Sequence, residues 1–445
     1  MSDQKTIDVE TLINRNKIGG FQKRVIGLCI LIAVLEGFDL QVIAFTAPQI
    51  MAEWSVSQTA FAAVFAAGLV GLMIGSVVLG ALGDRYGRKW PLIISFAAAG
   101  AFCLATAFSE NVFELMIFRF LTGLGLGGSI PNAIALVSEY SPSRHRGTMV
   151  ALVAGGFPLG GAVGGLVVAP IIADLGWQTV FVVGGLAPLM VAVLIIFILP
   201  ESIQYLATRP NMKAKLDRLL KKVDRDYAPS TSAELAISID KPSEPEADRS
   251  MRSLFTEGRA RGTLLLWGIF FTNLLMLYLL INWLPSLLTQ AGFGIEAAIF
   301  SVAAFNCGGI LASVALGRAL DRMSPYPWMI GTYVFAAAMV LYLGVMGANA
   351  ATLYLLMFLT GAGVAGPQLA MNALAAAFYP TRIRSSGLGA ALGVGRIGAI
   401  LGPLLGGVVM TVGFSGTSIF TLLALPASIC AGFVWVLWRQ VRRQT

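Results

Sequence analysis

Glu36 and Asp39 stand three residues apart inside an otherwise apolar stretch that runs from Val25 to Phe45. On a helix that spacing puts both carboxyls on one face. A charged side chain at the centre of a bilayer costs about 3 kcal/mol on insertion scales, so such groups face a protein interior and mark an ion, proton or substrate path. Two arginines share this setting, Arg119 and Arg396. At about 1.5 Å per residue, Glu36 lies roughly 18 Å and Asp39 roughly 22 Å beyond Arg24. Arg119 enters from the opposite side and reaches a depth of about 10 Å, which brings it level with Asp39. Arg119 therefore pairs with Asp39 or Glu36. Protonating the acid would loosen that pair and couple it to protons, the alternative being a fixed packing ion pair. Arg396, about 15 Å into its own run, has no acid nearby on the same helix. Its simplest partner is an anionic substrate, because a guanidinium presents a planar fork to a carboxylate. The bland alternative is a structural or snorkelling arginine.

An anchored anion needs a wall around it. Asn273, Tyr278, Asn282 and Trp283 in the seventh apolar run, Asn306 in the eighth, and Gln368 and Asn372 in the tenth can hold polar substituents. Phe38, Tyr278, Trp283 or Phe305 can hold an apolar ring. The amides divide between substrate contact and interhelical bonding, and most of the 26 phenylalanines must be packing or lipid-facing residues.

The elements that carry these residues follow from composition. The chain has 445 residues, 57% hydrophobic and 12% charged, against about 25% charged in a soluble domain. Most of its charges lie between apolar runs of about 20 residues, the length that crosses a roughly 30 Å hydrocarbon core. Twelve runs are expected, near 25–47, 58–82, 90–108, 112–136, 148–172, 178–199, 262–286, 298–320, 327–345, 351–374, 386–410 and 415–438. Barrel strands would be half as long and alternating in polarity, so the expected class is an all-α membrane protein. The domains expected are a tail 1–24, a six-helix bundle 25–199, a linker 200–261, a second six-helix bundle 262–438 and a tail 439–445. The polar start lacks a short apolar core with a cleavage site and reads as a tail. Cys29, Cys103, Cys307 and Cys430 all fall in apolar runs and read as buried thiols, with no disulfide or metal site supported.

Basic residues set the orientation. Lys17, Lys23 and Arg24, then Arg85, Arg88 and Lys89, then Arg144 and Arg146, the linker, Arg318 and Arg322, Arg382 and Arg384, and Arg439, Arg442 and Arg443 all fall on one side if every run crosses once. The opposite loops hold no lysine or arginine. Both termini are thus expected in the cytoplasm, in a multi-pass protein of the inner membrane. The net charge of +8 follows from this topology and calls for no nucleic-acid partner. Within the linker, the lysine-rich first part can form an amphipathic helix on the membrane surface, while Ser238 to Ser250 looks poorly ordered.

The two halves repeat. Gly80-Ala-Leu-Gly83-Asp84-Arg85 recurs as Gly317-Arg-Ala-Leu-Asp321-Arg322 at an offset of 237. The arginines of Tyr140-Ser-Pro-Ser-Arg144-His-Arg146 recur in Tyr379-Pro-Thr-Arg382-Ile-Arg384 at 238. Duplicated bundles of this kind expose a central site to each side in turn by rocking. Gly83 and Gly87 permit close approach and a tight turn, and Asp84, Arg85 and Arg88 can bridge helix ends as a gate latch. With Glu139, Arg144 and Arg146, and with Asp321, Arg322, Arg382 and Arg384 of the second half, they make up the expected inner gate. Glycines crowd the fifth run around Pro158 and the eleventh from Gly387 to Gly406, which suits helices that touch and slide.

The pattern from Gly80 to Lys89 resembles the signature of the major facilitator superfamily between its second and third helices. More narrowly, the chain resembles the bacterial aromatic acid/proton symporters along nearly its whole length. That resemblance rests on Glu36-Gly-Phe38-Asp39-Leu-Gln41, on Arg119-Phe-Leu-Thr-Gly-Leu-Gly-Leu-Gly-Gly-Ser-Ile-Pro131-Asn132, on Ser138-Glu139-Tyr-Ser-Pro and on Leu199-Pro-Glu201-Ser202. It implies that the acids needed for transport are Glu36 and Asp39 and the basic residues Arg119 and Arg396. Many members carry aspartate where this chain has Glu36; the glutamate with Leu40-Gln41 is closer to the branch that carries hydroxyphenylpropionate-like acids. Sugar porters share the wider signature but usually have a basic residue after Pro-Glu-Ser, where this chain has Ile203. The expectation is uptake of an aromatic carboxylate with protons by a monomer that needs no cofactor. The competing readings are transport of another organic anion, export of amphipathic compounds in exchange for protons, and a membrane sensor that kept a transporter fold. No nucleophile, base and oxyanion set converges in the runs, which argues against an enzyme.

Overall fold

The computed structural model describes residues 7–15, 17–224, 227, 235–236, 251–320, 324–346, 349–380, 383–412 and 416–442. The apolar runs form helices throughout this range, because in hydrocarbon only internal hydrogen bonds can satisfy the backbone. The first four spans are Gly20–Trp54, Gln58–Tyr86, Lys89–Thr106 and Val112–Tyr140. The fifth and sixth run together as Ser143–Ile198 and part at Gly176, whose φ of +78° breaks the helix. The seventh to ninth are Ala260–Gln290, Ile295–Leu320 and Pro325–Met346, the tenth comprises Ala350–Val364 and Pro367–Phe378, and the last two are Arg384–Thr411 and Gly416–Arg442. This makes twelve crossings among the described residues, in two halves of six.

Glycine contacts give the repeat a physical form. In the first half, a Cβ on Gly71 would strike the Phe120 carbonyl and one on Gly123 the Gly68 carbonyl, so the second and fourth spans touch backbone to backbone. At offsets of 237 and 238, Gly308 meets the Phe358 carbonyl and Gly361 the Phe305 carbonyl between the eighth and tenth spans. The first and fifth spans meet at Gly160 against the Val34 carbonyl, and the seventh and eleventh at Gly398 against Phe271, again at 238 and 237. Small residues at these positions are what lets paired helices approach closely.

The apolar core is divided unequally along the bundle. At the end poor in basic residues a single cluster joins both halves, with Phe45, Phe61 and Trp177 packed alongside Trp283, Leu287 and Phe305. At the basic end there are two separate clusters, one around Phe96, Tyr140 and Leu199 in the first half and one around Phe270, Tyr379 and Leu437 in the second. Named contacts between halves follow the same division. The Thr59 and Thr411 hydroxyls are 2.6 Å apart, Phe65 stacks edge-on against Trp283 with centroids at 5.1 Å, and Gly165 abuts Ala303. The molecule is therefore closed at the end poor in basic residues and parted at the basic end.

Several boundaries differ from the sequence reading. The first span begins at Gly20 and runs to Trp54, longer at both ends, because Gln22 and Arg24 extend the helix beyond the hydrocarbon without breaking it. The tail expected to precede it holds a helix, Val9–Arg15, and a two-residue strand, Ile7–Asp8, that pairs with Leu235–Ala236. The linker contributes the amphipathic helix Lys213–Val223, with Leu216, Leu219 and Leu220 buried. Residues 238–250, expected to be poorly ordered, lie outside the described residues. Cys29, Cys103 and Cys430 are buried thiols, but Cys307 is exposed on the flank of the eighth span, since an apolar run carries no mark of which face meets lipid.

Candidate functional site

The first span places Asp39 directly against Arg119 of the fourth. Arg119 Nη2 and Asp39 Oδ2 are 2.5 Å apart, Nη1 reaches Oδ1 at 3.5 Å, and Nη2 also faces the Asp39 carbonyl at 3.4 Å. Arg119 is 2% exposed and its guanidinium lies 5.7 Å from the Phe181 ring centre. Its charge is thus committed within the first half. Of the two pairings open in the sequence, the one with Asp39 forms.

Glu36 goes elsewhere. The fourth span breaks between Leu126 and Ser129 at Gly127-Gly128, and the turn delivers the Ser129 hydroxyl to the Glu36 carboxylate. The same hydroxyl lies 2.5 Å from the Leu126 carbonyl. Arg396, from the opposite half, lies within electrostatic reach of Glu36 and of Tyr278. An arginine that the sequence leaves without an intrahelical acid is thus within electrostatic range of one in the other half, a relation that no spacing within either half could reveal.

Arg396 is half-buried and makes no hydrogen bond or ion pair with a described residue. It lines a cavity of about 130 Å³ together with Tyr278, Gln368, Leu69, Leu274 and Ile400. Gln368 is held from behind by Asn273, whose amide donates to the Gln368 oxygen at 2.9 Å and whose own oxygen accepts from Tyr333 at 3.1 Å. Asn273 occupies the position of Glu36 at the repeat offset of 237. The first half therefore holds an acid where the second holds an amide, and Arg396 belongs to the second. A smaller adjoining cavity is lined by Tyr278, Asn282, Phe157 and Arg119.

The profile of the Major Facilitator Superfamily matches residues 29–347 and 299–445. The chain belongs to that superfamily. A 4-hydroxybenzoate transporter, PcaK, of Pseudomonas aeruginosa is 38% identical to this facilitator over 432 residues, covering 96% of this chain and 95% of that one. A 3-(3-hydroxy-phenyl)propionate transporter of Escherichia coli is 37% identical over 407 residues, covering 92% and 91%. Among solved structures, the inward open conformation of the xylose transporter XylE from E. coli superposes with a TM-score of 0.70 at 17% identity, over 93% of this chain and 95% of that one. That likeness speaks to the fold alone. The facilitator is a multi-pass membrane transporter and not an enzyme.

Not every residue expected in its cavity is there. Trp283 is fully buried, donates its indole N–H to the Pro403 carbonyl at 2.8 Å and packs on Phe65; it belongs to the closed end. The Phe38 ring is seated in a notch between Gly164 and Gly184, on the face of the first span turned toward its own half. Phe305 is 1% exposed in the same packed core. Asn306 exchanges hydrogen bonds with Gln41, at 2.8 Å in one direction and 3.4 Å in the other, and so ties the first span to the eighth. Asn372 lies one turn along from Gln368 toward the basic end, with its side-chain oxygen buried and unpartnered. Aromatics and amides pack and bind with the same atoms, which is why residue type alone left their roles open.

At the basic end the facilitator signature forms a compact knot. Arg88 pairs with Asp84 at 2.5 Å and donates to the Asn132 side chain at 3.2 Å. Glu201 Oε1 accepts from the backbone N–H groups of Arg88, Lys89 and Ser202 at 2.7, 3.1 and 2.8 Å. Gly87 sits at φ +94°, and a Cβ there would lie 2.6 Å from the Glu201 carboxyl carbon. Gly83 lies directly against Asn132, so only a hydrogen fits there. Glu139 accepts from Ser202 at 2.7 Å and from the Gln204 N–H at 3.3 Å, while Tyr140 donates to the Glu201 carbonyl at 2.6 Å. Arg85 receives the Arg209 guanidinium on its carbonyl, and Arg144 reaches the Asn14 carbonyl. These contacts join the second, third, fourth and sixth spans to one another, all within the first half. Arg384 is exposed at the start of the eleventh span, and Asp321, Arg322 and Arg382 lie outside the described residues. Glu201, Asn132 and Ser129 were quoted in the sequence only as motif letters; each owes its position to a tertiary partner.

Proposed function

We propose that this facilitator takes up an aromatic carboxylate of the hydroxybenzoate or hydroxyphenylpropionate type together with protons across the bacterial inner membrane, both termini lying in the cytoplasm. The observation that carries this reading is Arg396: a half-buried guanidinium in a central cavity, without a hydrogen bond or ion pair to any described residue, beside a tyrosine and a glutamine. A cation partly withdrawn from water and without an ion pair favours an anion that arrives to share it. The full-length relatives that carry hydroxybenzoate and hydroxyphenylpropionate support an aromatic carboxylate as that anion. Arg396 would take the carboxylate through its planar fork, Tyr278 and Gln368 would meet ring hydroxyls, and Leu69, Leu274 and Ile400 would cover the ring faces.

Protons enter the same reading through Glu36. An ionised Glu36 accepts a hydrogen bond from Ser129; a protonated Glu36 donates to the Ser129 oxygen, whose own proton turns to the Leu126 carbonyl. Both forms are thereby satisfied in the same place. An ionised Glu36 also competes with the substrate for Arg396, so a proton on Glu36 frees the cation for a carboxylate. This divides the labour between an acid in the first half and a cation in the second. An anion entering a negative cell works against about 2.3 kcal/mol per charge per 100 mV, which one accompanying proton cancels and two reverse. Closure at the end poor in basic residues corresponds to an inward-facing state in this orientation.

Titration calorimetry of 4-hydroxybenzoate into purified protein and its Arg396→Ala variant tests the anchor. Binding should weaken at least about 30-fold in the variant, the lower bound expected when one partner of a desolvated charge pair is removed. Unchanged affinity would remove Arg396 from the site.

A further inference from the structure

A cavity of about 880 Å³ lies at the basic end of the first half, and neither Arg396 nor the acids of the first span line it. Three elements enclose it. Phe21 and Arg24 come from the start of the first span, Phe197 and Ile198 from the end of the sixth, and Lys221 and Lys222 from the last turn of the linker helix. That helix buries Leu216, Leu219 and Leu220 against the first half, so its two terminal lysines are held over the cavity.

The lining joins two properties that rarely meet. Phe197 is 81% and Ile198 44% exposed, at the last residues of a spanning helix and hence where hydrocarbon gives way to headgroups. Arg24, Lys221 and Lys222 are exposed cations facing the single acid Asp224, which is 4% exposed. Arg24 and Lys221 make no ion pair with a described residue, and Lys222 lies 5.8 Å above the Phe21 ring. A soluble anion would use the cations and leave the apolar side chains unpaid for. A zwitterionic lipid would use the apolar side chains and set its own ammonium among the cations.

We propose that this cavity binds an anionic glycerophospholipid, its headgroup phosphate held by Arg24, Lys221 and Lys222 and its acyl chains descending along Phe197 and Ile198. Basic pockets between spans at the level of an anionic leaflet are suited to such headgroups. The volume lies within the ~300–1,000 Å³ of ordinary ligand clefts. The bound lipid would clamp the linker helix to the first and sixth spans. A second groove, of about 440 Å³, on the other side of the sixth span is less suited, because Lys89 is already bonded to the Ile196 carbonyl and Glu201 brings an acid into the lining.

Native mass spectrometry of the full-length protein in neutral detergent, titrated with dioleoylphosphatidylglycerol, dioleoylphosphatidylcholine or inorganic phosphate, tests this. The phosphatidylglycerol should bind saturably, and the other two should not bind at the same concentrations. Each basic residue at such a surface contributes about fivefold, so Lys221→Ala with Lys222→Ala should weaken phosphatidylglycerol by about 25-fold. The corresponding Lys221→Arg and Lys222→Arg pair should retain it, as should Lys215→Ala in the second groove. Arg24→Gln, on a different element, should cost about fivefold and serves where the double variant does not fold. Equal binding of phosphatidylcholine, binding of inorganic phosphate alone with the same affinity, or undiminished phosphatidylglycerol binding in the alanine and glutamine variants would each overturn the site.

Discussion

The two acids of the first span have separate partners, and that separation supports giving them separate work. Asp39 neutralises Arg119 in a place with almost no access to water, and breaking such a pair by removing one charge costs about 3–5 kcal/mol, because the other is left buried. Asp39→Asn should therefore lower the thermal unfolding midpoint of the purified protein markedly, and adding Arg119→Leu should recover most of the loss. A single variant as stable as the wild type would show that the pair is not the fixed element described. Glu36 has instead a hydroxyl that can serve either protonation state and, within electrostatic range, a cation of the other half. Much of this was legible from depth alone: counting rises along two antiparallel helices was enough to bring Asp39 to Arg119. The approach of Arg396 to Glu36 was not legible, since it depends on how two bundles sit against each other. Phe38 and Trp283 escaped for a different reason, as a ring offers no sign of whether it will meet a ligand or a glycine notch.

The helices owe their packing to backbone contact where glycine permits it. Along the first and fifth spans, Gly37 faces the Phe157 carbonyl, Gly160 the Val34 carbonyl and Gly156 the Ala33 methyl, three contacts on one stripe. Gly155, on the neighbouring face, has open space around its Cα. Gly160→Ala should thus cost about 1–3 kcal/mol through overpacking, whereas Gly155→Ala should be neutral or stabilise by up to about 1 kcal/mol through helix propensity. Thermal melts of the two variants side by side measure the difference, and equal melts would mean the stripe does not hold the spans together. The spans themselves were plain in the sequence, because a membrane demands about 20 apolar residues at each crossing and little else does. Their ends were less so. A helix such as Gly20–Trp54 continues past the hydrocarbon for as long as its residues tolerate helical geometry, and hydropathy does not report that.

At the scale of the whole molecule, one apolar core spans both halves at the closed end and two separate cores divide the basic end. Rocking between the halves must break the first and leave the other two intact. The Thr59 and Thr411 hydroxyls, 2.6 Å apart across the closed end, offer a way to hold it shut. In a background without native cysteines, Thr59→Cys with Thr411→Cys should stop uptake on oxidation and regain it on reduction; full transport by the crosslinked protein would contradict closure at this point. The duplication was visible in two loop motifs, yet the state in which the halves stand was not, because one sequence must encode both states. The most direct measurement is accumulation of radiolabelled 4-hydroxybenzoate in proteoliposomes with and without an imposed inward proton gradient, for the wild type and for Glu36→Gln. Accumulation should require the gradient in the wild type and vanish in the variant, while exchange of labelled for unlabelled substrate continues in both. Uptake that reaches the same level without any gradient, or a Glu36→Gln variant that still accumulates, would contradict proton-coupled transport through this site.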